Sequence, residues 1–256
     1  MKGPVVLLTD FGLRDHYVGV MKGVILSRVP EAVLVDLTHE VPPQDIREGA
    51  YLLSVSFRYF PPGTVFLSVV DPGVGTERRA LVLKAEGRFC VGPDNGLFTL
   101  VLRQAQEAEI RAIDVPRFLL PNASHTFHGR DLFAPVVAEI LKGRALSAFG
   151  PVVWDPVLLE FPEPELIPGG LRIPVLRVDR FGNLILNLRA EEVSGRRFRI
   201  VVEGRKLPWV RTYAEVPEGE PLALTGSDGF LEVAVHRGSA VELFGRNPEI
   251  LLLWET

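Results

Sequence analysis

Apolar residues follow two rhythms along the first half of the chain. Continuous runs at 4–9, 33–35 and 64–70 end at Asp10, Asp36 and Asp71. Between them, Tyr17, Val20, Met21 and Val24, then Ile46, Ala50, Leu53 and Phe57, recur at helical spacing. Asp15 stands where an N-cap is expected before the first helix. Further strands are predicted near 80–85, 88–92 and 110–115, and helices near 96–107 and 131–142. Unbroken apolar strands alternating with helices predict an α/β layer structure around a mainly parallel sheet.

The rhythm changes after about residue 150. Residues 150–170 are rich in proline and glycine and have no period, which reads as a connector. Short β-prone runs follow at 171–179, 184–188, 198–203, 221–225, 230–235 and 240–244. Turn residues such as Gly182-Asn183 and Ser227-Asp228-Gly229 separate them, the pattern of a small barrel or sandwich. The expected organisation is therefore an N-terminal α/β domain over 1–155, a connector over 156–170 and a smaller C-terminal all-β barrel domain over 171–256.

Composition narrows the classes of function. Of the 256 residues, 47% are apolar and 23% charged, enough for packed cores. The net charge of −4 lacks the basic surplus of a general nucleic-acid binder. No apolar run approaches the roughly 20 residues of a membrane span. The opening MKGPVVLLTD reads as a first strand rather than a signal peptide. A single cysteine, Cys90, allows no intrachain disulfide and fits a cytoplasmic location.

Ligand sites in open α/β sheets lie beyond the carboxyl ends of strands, so Asp10, Asp36 and Asp71 can share one rim. Each alone is more simply a turn or helix cap. A divalent-metal, phosphohydrolase-type site is the rival reading, although no D-x-D follows these strands. Asp71-Pro-Gly-Val-Gly-Thr-Glu-Arg78 is a tight turn bracketed by an acid and an arginine. It precedes a strand and lacks a third glycine, unlike a dinucleotide fingerprint. His128 is predicted near a helix N-terminus, where the dipole depresses an imidazole's pKa and leaves a neutral ring able to take a proton. His125 lies three residues before it, but no thiolate pair or H-E-x-x-H accompanies them, so zinc is not expected. In Asp179-Arg180-Phe181-Gly182-Asn183, Phe181 suits stacking and Asn183 suits an adenine edge, but by itself the segment is an ordinary β-turn.

Taken in order, LTDFGLRDHYVGVMKG (8–23), VVDPGVGTERRALV (69–82), VGPDNGLF (91–98), TFHGRDLFAP (126–135), DRFGN (179–183) and GSDGFLEVAVHRGSA (226–240) resemble the SAM hydroxide adenosyltransferase family, which is related to fluorinase and chlorinase. The resemblance spans nearly the whole chain. It implies an N-terminal α/β domain, a C-terminal β-barrel, and a homotrimer holding S-adenosyl-L-methionine (SAM) between subunits. The reaction it implies is hydrolysis of SAM to adenosine and L-methionine, with no metal or organic cofactor. The family's Asp-Arg-His set falls on Asp71, Arg78 and His128, with Arg79 as the neighbouring arginine. The ribose acid falls on Asp10. Adenine and methionine contacts fall on Asp179, Phe181 and Asn183 and around Ser239, Arg246 and Asn247.

The halogenating relatives carry an aromatic residue where Asp71 stands and a tryptophan where Gln44 stands. A carboxylate disfavours a bound halide and points to water as nucleophile. In this reading His128 takes the water's proton, Arg78 stabilises the developing hydroxide, and Asp71 orients and neutralises Arg78 or His128. The second rival is a SAM- or adenosine-binding sensor with little turnover.

Overall fold

The computed structural model describes residues 3–255. The chain divides into two compact units between Leu159 and Glu160.

In the first unit the elements run β1 (Val5–Thr9), α1 (Tyr17–Arg28), β2 (Leu34–Thr38), α2 (Ile46–Phe57), β3 (Val65–Val69), β4 (Ala80–Ala85) and β5 (Arg88–Pro93), then α3 (Thr99–Gln104), β6 (Ala108–Ala112), α4 (Val115–Phe118) and α5 (Ala134–Leu141). They build a six-stranded sheet of order β2-β1-β3-β5-β4-β6. The β1–β2, β1–β3 and β3–β5 pairs are parallel, and β4 alone is inverted. A two-residue turn, Glu86-Gly87, makes that inversion. Both residues have positive φ (48° and 74°), the twist that a tight hairpin requires.

Pleating sends alternate side chains to opposite faces. Val5, Leu7, Val65, Leu67 and Val69 pack with Met21, Ile25, Val136 and Val137, under α1 and α5. Val6, Leu8, Phe66, Leu81 and Cys90 pack with Leu53, Phe57, Leu97 and Val101, under α2 and α3. Helices on both faces explain the unbroken apolar runs. Each fully buried Leu, Val or Phe contributes roughly 1.5–3 kcal/mol.

Several expectations need correction. His16, not Asp15, is the N-cap of α1, and it makes no side-chain cap. Asp36 lies inside β2 rather than closing it. The helix expected over 96–107 is only Thr99–Gln104, and the strand expected at 110–115 is Ala108–Ala112. Pro116 in the first turn of α4 suits a new helix better than a strand. The helix expected from 131 starts earlier, as a π turn over Gly129–Phe133 that runs into α5.

The second unit contains β7 (Glu165–Ile167), β8 (Gly170–Arg172), β9 (Val175–Val178), β10 (Leu184–Arg189), β11 (Phe198–Val202), β12 (Arg205–Leu207), β13 (Pro221–Thr225), β14 (Phe230–Val235), α6 (Ala240–Phe244) and β15 (Ile250–Trp254). Two antiparallel sheets result, β13-β14-β10-β9 and β12-β11-β15-β8-β7. Leu184 and Leu186 of one sheet share a core with Ile200, Val202 and Leu252 of the other.

Here too the outcome differs in detail. The run at 171–179 is two strands in different sheets, broken at Pro174, which has no N–H for a ladder. The run at 240–244 is a helix, begun by Ser239 Oγ accepting from Glu242 N at 3.3 Å. The 150–170 stretch is not featureless: Val152 bridges to Arg111, and β7 lies within it. Among the described residues, no helix is long and apolar enough to cross a membrane.

Candidate active site

Parallel pairing of β1 with β3 sets Thr9 opposite Val69. The chain beyond both strands therefore leaves from the same edge of the sheet, carrying Asp10 and Asp71. After Asp71 the backbone doubles back. Thr76 Oγ1 donates to Gly73 O at 2.7 Å, and Gly75 takes φ +81°, where a Cβ would also lie 2.7 Å from His125 O. That reversal returns Arg78 over Asp71.

Arg78 Nε donates to Asp71 Oδ1 at 2.8 Å and to Oδ2 at 3.0 Å, and its Nη2 also donates to Oδ2. The same Nη2 lies 3.0 Å from His128 Nδ1. The side chains of Arg78 and Asp71 are only 9% and 5% exposed. The guanidinium also lies over the ring of Phe133, 5.4 Å from its centroid, in the π turn that follows His128. π turns interrupt helices most often at functional sites. The loop before it is held by Asp131, whose buried carboxylate accepts Ser124 N at 2.7 Å while its backbone O accepts Leu120 N at 2.9 Å.

This geometry dictates a protonation state. A guanidinium only donates, so His128 Nδ1 accepts and a neutral ring carries its hydrogen on Nε2. Burial lowers the pKa of His128 and the charge on Arg78 lowers it further, while Asp71 and Asp131 pull the other way. The depression expected from a helix terminus thus comes from burial and a guanidinium. The lone pair that a general base needs is already engaged with Arg78, and Nε2 is a donor. Asp71 neutralises Arg78 and does not bond to His128. Arg79 turns elsewhere, donating from Nε to Asp94 at 2.6 Å and from Nη1 to Asp155 at 2.7 Å.

Asp10 stands just past β1, half-buried, with Oδ2 accepting from Gln44 N at 2.8 Å. Gln44 holds φ +67° to present that N–H. Phe11 packs edge-on to Phe127 at 5.9 Å, and Tyr17 packs on both. The aromatic trio therefore ties the Asp10 loop to the segment that carries His128.

In the second unit, Asp179 Oδ1 accepts from Phe181 N at 2.9 Å and Asn183 N at 2.8 Å, and Oδ2 accepts from Asn183 Nδ2 at 3.0 Å. Asp179 is thus committed to its own turn. Phe181 is 75% exposed and Asn183 is buried. Val241 N donates to Gly182 O at 2.9 Å, which sets the start of α6, next to Ser239, against this turn. Arg246 and Asn247 are exposed in the loop after α6.

The sequence motifs left two supports unassigned. Within VGPDNGLF, Asp94 accepts from Arg79 and from Val157 N, and Asn95 Nδ2 donates to Val70 O at 2.8 Å, just before Asp71. Nothing in the sequence marks out Phe133, since an apolar residue in a helical run signals only core. Asp10, Asp36 and Asp71 do not gather into one cluster. Asp36 pairs with Lys22 and His39, and among the described residues no group of three His, Cys, Asp or Glu is placed to hold a metal ion.

Comparison with known proteins identifies the family. Residues 5–150 match the model of the SAM hydroxide adenosyltransferase N-terminal domain, and residues 173–250 match that of the C-terminal domain. The chain is 46% identical over 250 residues to a protein of Thermus thermophilus named (R)-S-adenosyl-L-methionine hydrolase, covering 94% of this chain and 95% of that one. It is 27% identical to a fluorinase of an Actinoplanes species across 90% of each chain. Among solved structures, an uncharacterised conserved protein of Thermotoga maritima superimposes with a TM-score of 0.88 at 37% identity, covering 97% of this chain and 99% of that one.

Proposed function

The chain belongs to the SAM hydroxide adenosyltransferase family, and from that premise we propose that it hydrolyses SAM to adenosine and L-methionine. The observation that carries the mechanism is the half-buried Asp71–Arg78–His128 relay. SAM's C5′ is bonded to a sulfonium, already a good leaving group. What the site supplies is an oriented, electron-rich oxygen. Asp71 neutralises and aims Arg78, and Arg78 fixes the His128 tautomer. The Nε2–H of His128 and the guanidinium then hold hydroxide opposite the C5′–S bond. An O–C5′ bond forms as the C5′–S bond breaks, methionine leaves as a neutral thioether, and the proton lost from water passes to solvent. Removing a fixed donor of this type costs about 10²–10³ in rate.

The decisive experiment is turnover in oxygen-18 water, with each sulfonium epimer tested because the T. thermophilus relative is named for the (R) form. Label should enter the adenosine 5′-hydroxyl. Label confined to methionine, or binding without product, rejects attack at C5′. Chloride at high concentration should give no 5′-chloroadenosine.

Finer features belong to the same reading. The C-terminal unit is a separate all-β barrel domain, for which the core shared by its two antiparallel sheets is the support. The enzyme works in the cytoplasm as a homotrimer. Asp10 and the relay of one copy act with Asp179, Phe181, Asn183, Ser239, Arg246 and Asn247 of a second copy. Asp10→Ala and Asn183→Ala variants should each be nearly inactive, and co-refolding them should recover part of the activity. A fully active monomer by light scattering ends the shared-site idea.

A further inference from the structure

We propose that His39 is a positioning residue that sets Asp10 for a ribose diol through a hydrogen-bonded chain reaching to the surface. The inference rests on reading Asp10 as the ribose acid. His39 is buried just beyond β2, and Thr9, the last residue of β1, is fully buried. His39 Nδ1 lies 2.8 Å from Thr9 Oγ1, and Nε2 lies 3.0 Å from Asp36 Oδ1. Asp36 Oδ2 accepts from Lys22 Nζ at 2.6 Å.

The order of donors follows from chemistry. The Lys22 and His39 bonds favour the ionised Asp36 carboxylate, outweighing the opposing effect of its partial burial, and lower its pKa. An ionised carboxylate only accepts, so Nε2 carries the hydrogen. Nδ1 of the neutral ring then accepts from Thr9 O–H, which leaves Thr9 Oγ1 free to accept Phe11 N at 3.2 Å. The Thr9 hydroxyl and both ring nitrogens of His39 are thereby satisfied. His39 also acts from its backbone: its carbonyl accepts Gly12 N at 2.7 Å. One residue therefore grips the loop on both sides of Asp10, by its ring at Thr9 and by its carbonyl at Gly12. Gln44 N holds the carboxylate itself. A carboxylate meeting two vicinal hydroxyls needs both oxygens aimed within a fraction of an ångström.

The test titrates the full chain calorimetrically with adenosine and with 2′,3′-dideoxyadenosine, which lacks the diol. The unsubstituted protein should prefer adenosine. Thr9→Val should weaken adenosine about tenfold, the scale of one lost hydrogen bond and its misaligned neighbour, and leave dideoxyadenosine unchanged. Thr9→Ser, which keeps the hydroxyl, should retain the preference. Asp36→Ala, at the half-exposed outer end of the chain, should shift the preference the same way, and it serves even if the buried variant does not fold. An unchanged preference in the folded variants, or equal weakening toward both nucleosides, overturns the proposal. Absence of any diol preference in the unsubstituted protein instead defeats the reading of Asp10, and this inference with it.

Discussion

Replacing Arg78 by alanine should lower kcat by about 10²–10³ while changing KM for SAM only a few-fold. The guanidinium is the hub of the relay. It makes three donor contacts to Asp71 and a hydrogen bond to His128 Nδ1. Without it, a carboxylate that is 5% exposed is left without its partner, and stability should fall together with rate. Adding Asp71→Asn to Arg78→Ala should restore part of the stability and none of the activity. Arg78→Lys should recover little, because an ammonium cannot span both carboxylate oxygens and the imidazole as the planar fork does. Arg79→Ala is the control: its contacts go to Asp94 and Asp155, so it should lower the melting temperature with a much smaller effect on kcat. Steady-state adenosine release and thermal unfolding, measured in parallel, separate these outcomes. An Arg78→Ala enzyme with kcat within a few-fold of the parent sinks the relay.

His128→Ala should cost a comparable factor, but His128→Gln should recover much of it. An amide oxygen can accept from Arg78 while the amide nitrogen donates onward, as the neutral imidazole does. An amide cannot take a proton, so a glutamine variant as inactive as the alanine variant would return His128 to the role of general base. The pH profile gives a second check. Burial and Arg78 lower the His128 pKa below its ordinary 6.5, so the neutral ring predominates at that pH. Activity should therefore persist down through pH 6.5. It should fall only as pH drops through the lowered value, when a new N–H on Nδ1 confronts the guanidinium. The part of the acid limb that comes from His128 should vanish in His128→Gln. An acid limb centred at or above 6.5 contradicts the assignment.

Much of the N-terminal fold is legible in local pattern. The β1, β3, α1 and α2 runs are visible because helices cover both faces of the sheet, and burial writes itself as unbroken apolar residues. The errors fall where a local pattern serves two structures. Residues 240–244 read as a strand, yet a serine cap and the turn at Gly182 hold them as a helix. Asp36 looks like a strand end because its charge interrupts an apolar run, but β2 is an edge strand with room for a charged side chain.

The same division holds at the site. The residue types that carry the chemistry, and their blocks at 69–82 and 126–135, are a property of the sequence alone, as is membership of the family those blocks resemble. Which arginine joins the relay, which imidazole nitrogen is free, and whether Asp71 serves Arg78 or His128 are decided only by tertiary structure. Asp71 and His128 are distant in sequence, so no local rule relates them. Asp71 follows β3, and Phe127, beside His128, packs on Phe11 just past β1, the strand paired in parallel with β3. A reversed turn swings Arg78 back, and a π turn anchored by Asp131 supplies Phe133 beneath the guanidinium. Protonation follows from that meeting: a donor aimed at Nδ1 sets the tautomer, and burial lowers the pKa.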